Sequence, residues 1–411
     1  MIFTPRRPRT VASIATAAAL ALALSVGGCR AKPPRVYERP VGPIDPPALA
    51  RTWKAPLDLK NDAVNELHAA GEYVFAYTRA GRAYVLDRNT GTMAHVVQLP
   101  GTRGLRAPVV LPDAIVYPTA HTLEVYDRSG RLRQSVELGL PPRTGAVGSG
   151  TTVYVGTDFQ RRGQVLAVDT VRQVNQIRPL MTLGALSATP ATAAGIVYIG
   201  SEDGRVYAGD EDFAAAWGLP GGAFQTGGAI TADLAADAYG VYVASTDSKL
   251  YCLNPKTGQL RWQFYGGTAL RQGPVATEDM VFQHVPTRGL VAIQKQDPDP
   301  TRRANPLREA KWTAPRAARF LAADERYVYV LGNGDRVEAL DKQTGEPRFT
   351  SQREDFKFFA TNTSKDGVVY AATAGGNVYA IDAVTAPGQV GEVVWAPAAG
   401  ETGWAAVARA D

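Results

Sequence analysis

Residues 197–210 read VYIGSEDGRVYAGD, and residues 241–262 read VYVASTDSKLYCLNPKTGQLRW. Each stretch opens on alternating β-branched and aromatic residues, the pattern of a half-buried strand. Each then passes through turn formers, Ser201-Glu202-Asp203-Gly204 in the first, into a second apolar run that ends on Asp or Asn. Gly reaches positive φ without steric cost, so these are hairpins. In the second stretch a further turn, Thr257-Gly258, leads to another strand that carries Trp262.

This unit recurs along the chain. Its anchor strand ends at Asp87, Asp127, Asp169, Asp210, Asn254, Gln294, Asp341 and Asp382, at spacings of 40, 42, 41, 44, 40, 47 and 41 residues. The strand before it appears as YVFAY from Tyr73, IVYPT from Ile115, VYVGT from Val153, VFQHV from Val281, VYVLG from Val328 and VVYAA from Val368. Thr-Gly turns follow the anchor at Thr90-Gly91 and Thr344-Gly345, and looser runs such as Gly273-Pro274-Val275-Ala276 supply a fourth strand. Four short antiparallel strands per repeat, eight times over, specify an all-β fold, an eight-bladed β-propeller of four-stranded blades. One blade has two apolar faces and cannot stand alone; a ring of blades buries them. No helical periodicity follows residue 50. Two segments compete to close the ring: Trp53-Lys54-Ala55-Pro56-Leu57 and Val393-Val394-Trp395-Ala396-Pro397 both resemble the strand after an anchor.

The first fifty residues have a different composition. Arg6, Arg7 and Arg9 precede an uncharged run over residues 11–26, too short for a spanning helix, and Gly27 and Gly28 lead to Cys29. Leu24-Ser25-Val26-Gly27-Gly28-Cys29 resembles the lipobox of bacterial lipoproteins, which implies that Cys29 is lipidated and becomes the mature N-terminus. In that resemblance Arg30, which is not Asp, favours the outer membrane. Six prolines within residues 30–50 make an extended tether, able to hold a domain up to roughly 60 Å from its anchor. The expected organisation is a signal peptide over 1–28, a lipidated Cys and tether over 29–50, a propeller over 51–400 and a tail over 401–411. The chain of 411 residues carries 44 Lys and Arg against 39 Asp and Glu, a net charge of +5. Three of those positives lie in the signal segment, so the mature chain is no strongly basic nucleic-acid binder.

The units VYIGSEDGRVYAGD and VYVASTDSKLYCLNPKTGQLRW resemble the repeats of pyrroloquinoline-quinone-type propellers over roughly residues 53–397, and the WD dipeptide of the rival WD40 class is absent. Eight such units behind a lipobox are similar to the BamB family of lipoproteins of the outer-membrane β-barrel assembly machinery. That resemblance implies a non-catalytic scaffold facing the periplasm, with the β-barrel insertase as its protein partner. The alternative is a ligand- or quinone-binding propeller. Quinone-dependent relatives use an adjacent-cysteine disulfide and clustered acids for calcium; here Cys252 is the one cysteine left after lipidation. No cofactor and no metal site is therefore expected.

No catalytic constellation stands out. His68, His95, His121 and His284 fall in four different units without ligand spacing, and no HExxH, CxxC, Walker or G-x-S-x-G motif occurs. Cys252 stands where other units carry Ala83, Ala167, Ala208, Ala292, Ala339 and Ala380, a small buried strand position. Trp217, Trp262, Trp312 and Trp395 read as packing residues on the strand after each anchor. The anchor acids recur too regularly for chemistry and read as turn caps. Two departures from the repeat remain. At Asp210-Glu211-Asp212-Phe213 acids and an exposed-looking aromatic replace the Thr-Gly turn, which makes Glu211, Asp212 and Phe213 the candidate partner contact. An insertion over 295–310, KQDPDPTRRANPLREA, reads as an exposed loop.

Overall fold

The hairpins read from the sequence close in register. Val197 faces Gly209 and Gly200 faces Val206 across one; Val241 faces Leu253 and Ala244 faces Leu250 across the next. The computed structural model describes residues 48–384 and 393–397, apart from 102–103, 161, 172–176, 211, 297–305, 333–335 and 352–354. Within these residues eight antiparallel blades follow one another. The only helix among them is a 3-10 turn, Pro220–Gly222, and none is long and apolar enough to cross a membrane. The signal segment and Cys29 lie outside the described residues.

Blade 1 runs Val64–Ala70, Tyr73–Thr78, Arg82–Asp87 and Met93–Gln98. Blades 2 to 7 occupy residues 109–137, 146–181, 191–225, 235–265, 275–314 and 319–351. First strands of successive blades lie against one another, so they surround the axis and the strand after each anchor is outermost. The core is the set of seams between blades. Val281 and Val291 of blade 6 pack on Tyr242, Leu250 and Trp262 of blade 5, and Val241 and Val243 of blade 5 pack on Tyr198 and Val206 of blade 4.

Closure falls to the N-terminal segment. Ala48–Pro56 is the outermost strand of blade 8, beside Asn377–Val384, Val369–Thr373 and Phe356–Ala360. Its register runs from Ala48 opposite Val384 to Pro56 opposite Asn377. It begins three residues inside the segment read from sequence as tether. Val393–Pro397 instead bridges the outer edges of two blades, pairing Leu49 with Trp395 and Thr350 with Ala396. Trp395 therefore does not sit on the eighth blade's outermost strand as expected; Trp53 holds that place, because the longer segment can pair along the whole blade edge. Asp382 also departs from its expected place: the strand runs through it to Val384, and it stands opposite Ala50 within the strand and not at its end.

At the other anchors the acid caps. Asp87 Oδ1 accepts the Asn89 and Thr90 N–H groups at 3.0 and 2.9 Å. Asp341 Oδ1 accepts those of Gln343 and Thr344 at 2.9 and 3.0 Å. At four turns the carbonyl one residue past the anchor receives a Trp from the preceding blade. Trp53 donates Nε1–H to Arg88 O at 3.1 Å, Trp217 to Pro255 O at 2.9 Å, Trp262 to Lys295 O at 3.0 Å and Trp312 to Lys342 O at 2.9 Å. The indole lies flat on the turn, which explains the Thr-Gly sequence: a Cβ on Gly91, Gly258 or Gly345 would come within 2.5, 2.5 and 2.6 Å of the Trp ring. Burying an indole of this size contributes about 4 to 6 kcal/mol of gross transfer free energy. Trp217 does this from a loop outside its blade's outermost strand, Ala223–Gln225.

Two seams use substitutes. In blade 1 the docking position holds His95, whose ring lies 2.6 Å from where a Cβ on Gly130 would stand. In blades 4, 5, 6 and 8 the docked Trp covers an aromatic on the second strand, as Trp262 covers Tyr242 at 6.1 Å between ring centroids. Blade 3 has Tyr154 at that position but no Trp on its outermost strand, Ile177–Met181. There Phe213 of blade 4 supplies the ring, 5.8 Å from Tyr154 and edge-on.

Candidate docking surface and central cavity

The strand order gives the ring two unlike faces. One carries the anchor turns; the other carries the hairpin turns and the loops between blades. The loop singled out by sequence lies on the anchor-turn face. Asp210 Oδ1 caps it through the Asp212 and Ala214 N–H groups, both at 2.9 Å, as Asp127 caps its turn through Ser129 and Arg131 at 2.9 and 3.0 Å. Phe213 thus occupies the place of Gly130, with φ +59 against +83. Asp212 is exposed, and Glu211 lies outside the described residues. Phe213 is half-buried, its ring turned into the seam against Tyr154. The exposed aromatic expected from sequence is not exposed, because a seam without a Trp draws it inward.

The hairpin-turn face holds a feature that the sequence reading missed. In blade 3 the hairpin strands Thr152–Phe159 and Arg162–Asp169 are eight residues each, against five in Ile196–Gly200 and four in Val241–Ala244. The tip projects and ends on the pair Phe159–Arg162, with Gln160 at φ +50 in the turn. Met181 pairs with Gln164, two residues along the same strand, and Leu183 follows it. Phe159, Met181 and Leu183 are 46%, 41% and 55% exposed.

This apolar group is held in place. Asp158 pairs with Arg143 at 2.9 Å and accepts the Leu186 N–H at 3.1 Å. Thr182 donates its hydroxyl to Gly184 O at 2.7 Å, and the Leu183 N–H reaches Tyr207 Oη at 3.4 Å. Isolated exposed apolar residues are ordinary, but an exposed Phe, Met and Leu around one projecting hairpin, with Arg143 and Arg162 beside them, have the composition of a protein interface.

On the same face the centre of the ring opens into a cavity of about 360 Å³, lined by Thr231, Asp233, Arg271, His284, Arg319 and Thr361 among others. Arg319 donates Nη2–H to Thr361 Oγ1 at 3.1 Å. His284 Nδ1 is buried without a hydrogen-bond partner, and burial lowers its pKa.

Among the described residues no group of three or more His, Cys, Asp and Glu is placed to hold a metal ion. Cys252 is fully buried between Tyr242 and Trp262 in the strand register, as expected. Burial pushes its thiol well above the usual range, so it is a packing residue. The buried Lys295 beside it pairs with Asp237 and faces the Tyr242 ring at 5.5 Å. The return arm of the insertion adds Leu307–Arg308 in parallel to the outermost strand of blade 5, Leu260–Tyr265.

The family model described as outer membrane protein assembly factor BamB matches residues 119–264, 212–301 and 295–409, together more than half of the chain. The chain belongs to the BamB family. Its repeats are those of the pyrroloquinoline-quinone type, as the sequence resemblance implied. BamB from Moraxella catarrhalis has a similar structure, with 19% identity, 81% of this chain and 97% of that chain covered, and a TM-score of 0.60. The computationally designed Ika8 protein matches at 15% identity, 79% and 98% coverage and a TM-score of 0.57. The C-terminal WD40 domain of Sif2 matches at 10%, 82% and 98%, and 0.58. These likenesses are of fold, and they cross repeat classes that sequence motifs separate. No curated protein matches by sequence. Membership in the BamB family supports an interaction scaffold with protein partners, associated with the cell envelope.

Proposed function

We propose that this protein is a non-catalytic, lipid-anchored docking platform of the outer membrane, facing the periplasm, which engages the β-barrel insertase during outer-membrane protein assembly. The observation that carries the reading is the exposure of Phe159, Met181 and Leu183 around the projecting blade-3 hairpin, on the hairpin-turn face of a BamB-family propeller. The lipobox-like segment that ends at Cys29 and the proline-rich stretch after it support it further. The closing strand begins at Ala48 on the anchor-turn face, so a tether arriving there leaves the opposite face free for a partner. Holding the propeller near the membrane raises the effective concentration of any membrane partner, and a modest interface then suffices. The Glu211-Asp212-Phe213 turn is the alternative contact, on the other face.

The test is affinity purification from solubilised membranes followed by mass spectrometry. Recovery of the barrel insertase with the wild-type chain, and its loss with Met181→Asp/Leu183→Asp, is the expected result. Cys29→Ser is the anchoring control and is expected to leave the membrane fraction after a high-salt wash. Recovery of no envelope protein, or equal recovery with the patch variant, contradicts the proposal.

A further inference from the structure

We infer that the central cavity binds a small anion, a carboxylate or phosphate group, between Arg271 and Arg319. The site is built from four blades' worth of chain and belongs to no single repeat. Arg271 lies in the loop leading to blade 6, and His284 is on the second strand of that blade, Met280–Val285. Arg319 opens the first strand of blade 7, Arg319–Ala323, and Thr361 follows the first strand of blade 8, Phe356–Ala360. Anchor acids recur in six units and docked tryptophans in four because they serve the blade. His284 has no counterpart in the other units; Arg143 holds the place of Arg271 and Arg106 that of Arg319, but those two guanidiniums are taken, by Asp158 and by the Pro142 and Arg143 carbonyls.

Charge and hydrogen-bonding capacity point the same way. The one hydrogen bond of Arg319 within the described residues is to the Thr361 hydroxyl. Arg271 has neither an ion pair nor a side-chain hydrogen bond there. Two guanidiniums thus share one cavity with a single carboxylate, Asp233, whose Oδ1 is taken by the Thr189 N–H at 2.8 Å. Guanidinium forks match carboxylate and phosphate oxygens in geometry. The hydroxyls of Thr231 and Thr361 offer further neutral partners. A volume of about 360 Å³ is at the small end of the range for ligand sites, enough for a short dicarboxylate or a small phosphate ester. The inference stands apart from the docking proposal and uses none of its residues.

The experiment is isothermal titration calorimetry of the full chain with sodium succinate and with sodium phosphate, at constant ionic strength over a chloride background. Saturable binding of at least one probe is expected, weakened at least tenfold in Arg271→Gln/Arg319→Gln, since charge-assisted hydrogen bonds are lost. Binding of succinate alone assigns a carboxylate site; binding of phosphate alone assigns a phosphate site. Thr361→Val keeps both charges and removes only the hydroxyl that fixes Arg319, and it is expected to weaken binding several-fold with an unchanged melting temperature. No saturable binding of either probe to the wild-type chain overturns the inference, and so does wild-type affinity in both variants.

Discussion

Arg88 in blade 1 and Asp366 in blade 8 stand 278 residues apart and form an ion pair of 3.0 Å between Nη2 and Oδ2. The same guanidinium donates Nε–H to the Tyr370 hydroxyl at 2.9 Å, and Nη2–H to Asn362 Oδ1 at 2.5 Å. The Arg88 carbonyl accepts the Trp53 indole N–H. One residue therefore ties the first blade to the last through side chain and backbone together. Arg88→Met leaves Asp366 and Asn362 without this partner and is expected to cost about 2 to 3 kcal/mol in guanidinium denaturation. Arg79→Met, at an exposed arginine in the neighbouring turn, is the control, with an expected effect within about 0.5 kcal/mol.

Two glycines separate backbone strain from tryptophan docking. Gly258 and Gly267 have φ of +71 and +86; a Cβ on the first meets Trp217, and a Cβ on the second meets nothing within 4 Å. Gly267→Ala is expected to cost about 1 kcal/mol for the left-handed backbone alone. Gly258→Ala adds the displacement of the indole and is expected to reach about 3 kcal/mol, with a shift in tryptophan fluorescence that Gly267→Ala does not show.

His95 fills a tryptophan's place, with both ring nitrogens buried and without a hydrogen-bond partner among the described residues. Burial lowers its pKa, with the Asp127 charge opposing, and burial lowers that of His284 as well. In the unfolded chain both return to about 6.5. Below that pH the unfolded state binds the extra protons, so stability is full above about pH 6.5 and falls as the pH drops. His95→Trp restores an indole that can donate to the Arg128 carbonyl. Thermal melts from pH 7 to pH 5 are expected to show a higher melting temperature for the variant and a shallower loss on acidification.

Phe213 combines a strained backbone with a useful ring. Phe213→Ala loses the contact with Tyr154 and keeps the positive φ. Phe213→Gly loses the same contact and relieves the strain. The alanine variant is therefore expected to be the less stable of the two by about 1 kcal/mol, read by chemical denaturation. The reverse order would show that the positive φ at this position carries no strain.

The repeat was legible because most blades restate it locally: strand, turn, strand and a capping acid, with a docked Trp in four of them. Ring closure was not legible, since Trp53 and Trp395 sit in segments with the same local pattern and only long-range register separates them. Phe213 misled for a related reason, because what buries it, Tyr154, belongs to another blade. Met181 and Leu183 carry nothing in the local sequence that sets them apart from the repeat. Their exposure follows from the blade-3 hairpin being eight residues on each side, and that length was visible only as the run VYVGTDFQRRGQVLAVD without an early Gly turn.

The central claim is that the hairpin-turn face of blade 3 docks a protein of the envelope. The most direct measurement places a photo-crosslinking amino acid at Leu183 and, in a second chain, at Asp212 on the opposite face, with irradiation of intact cells and identification of the adducts. The account predicts a discrete covalent adduct with an envelope protein, the barrel insertase, from position 183 and none from position 212. An adduct from position 212 alone, or none from either in cells where the protein is correctly folded, would contradict it.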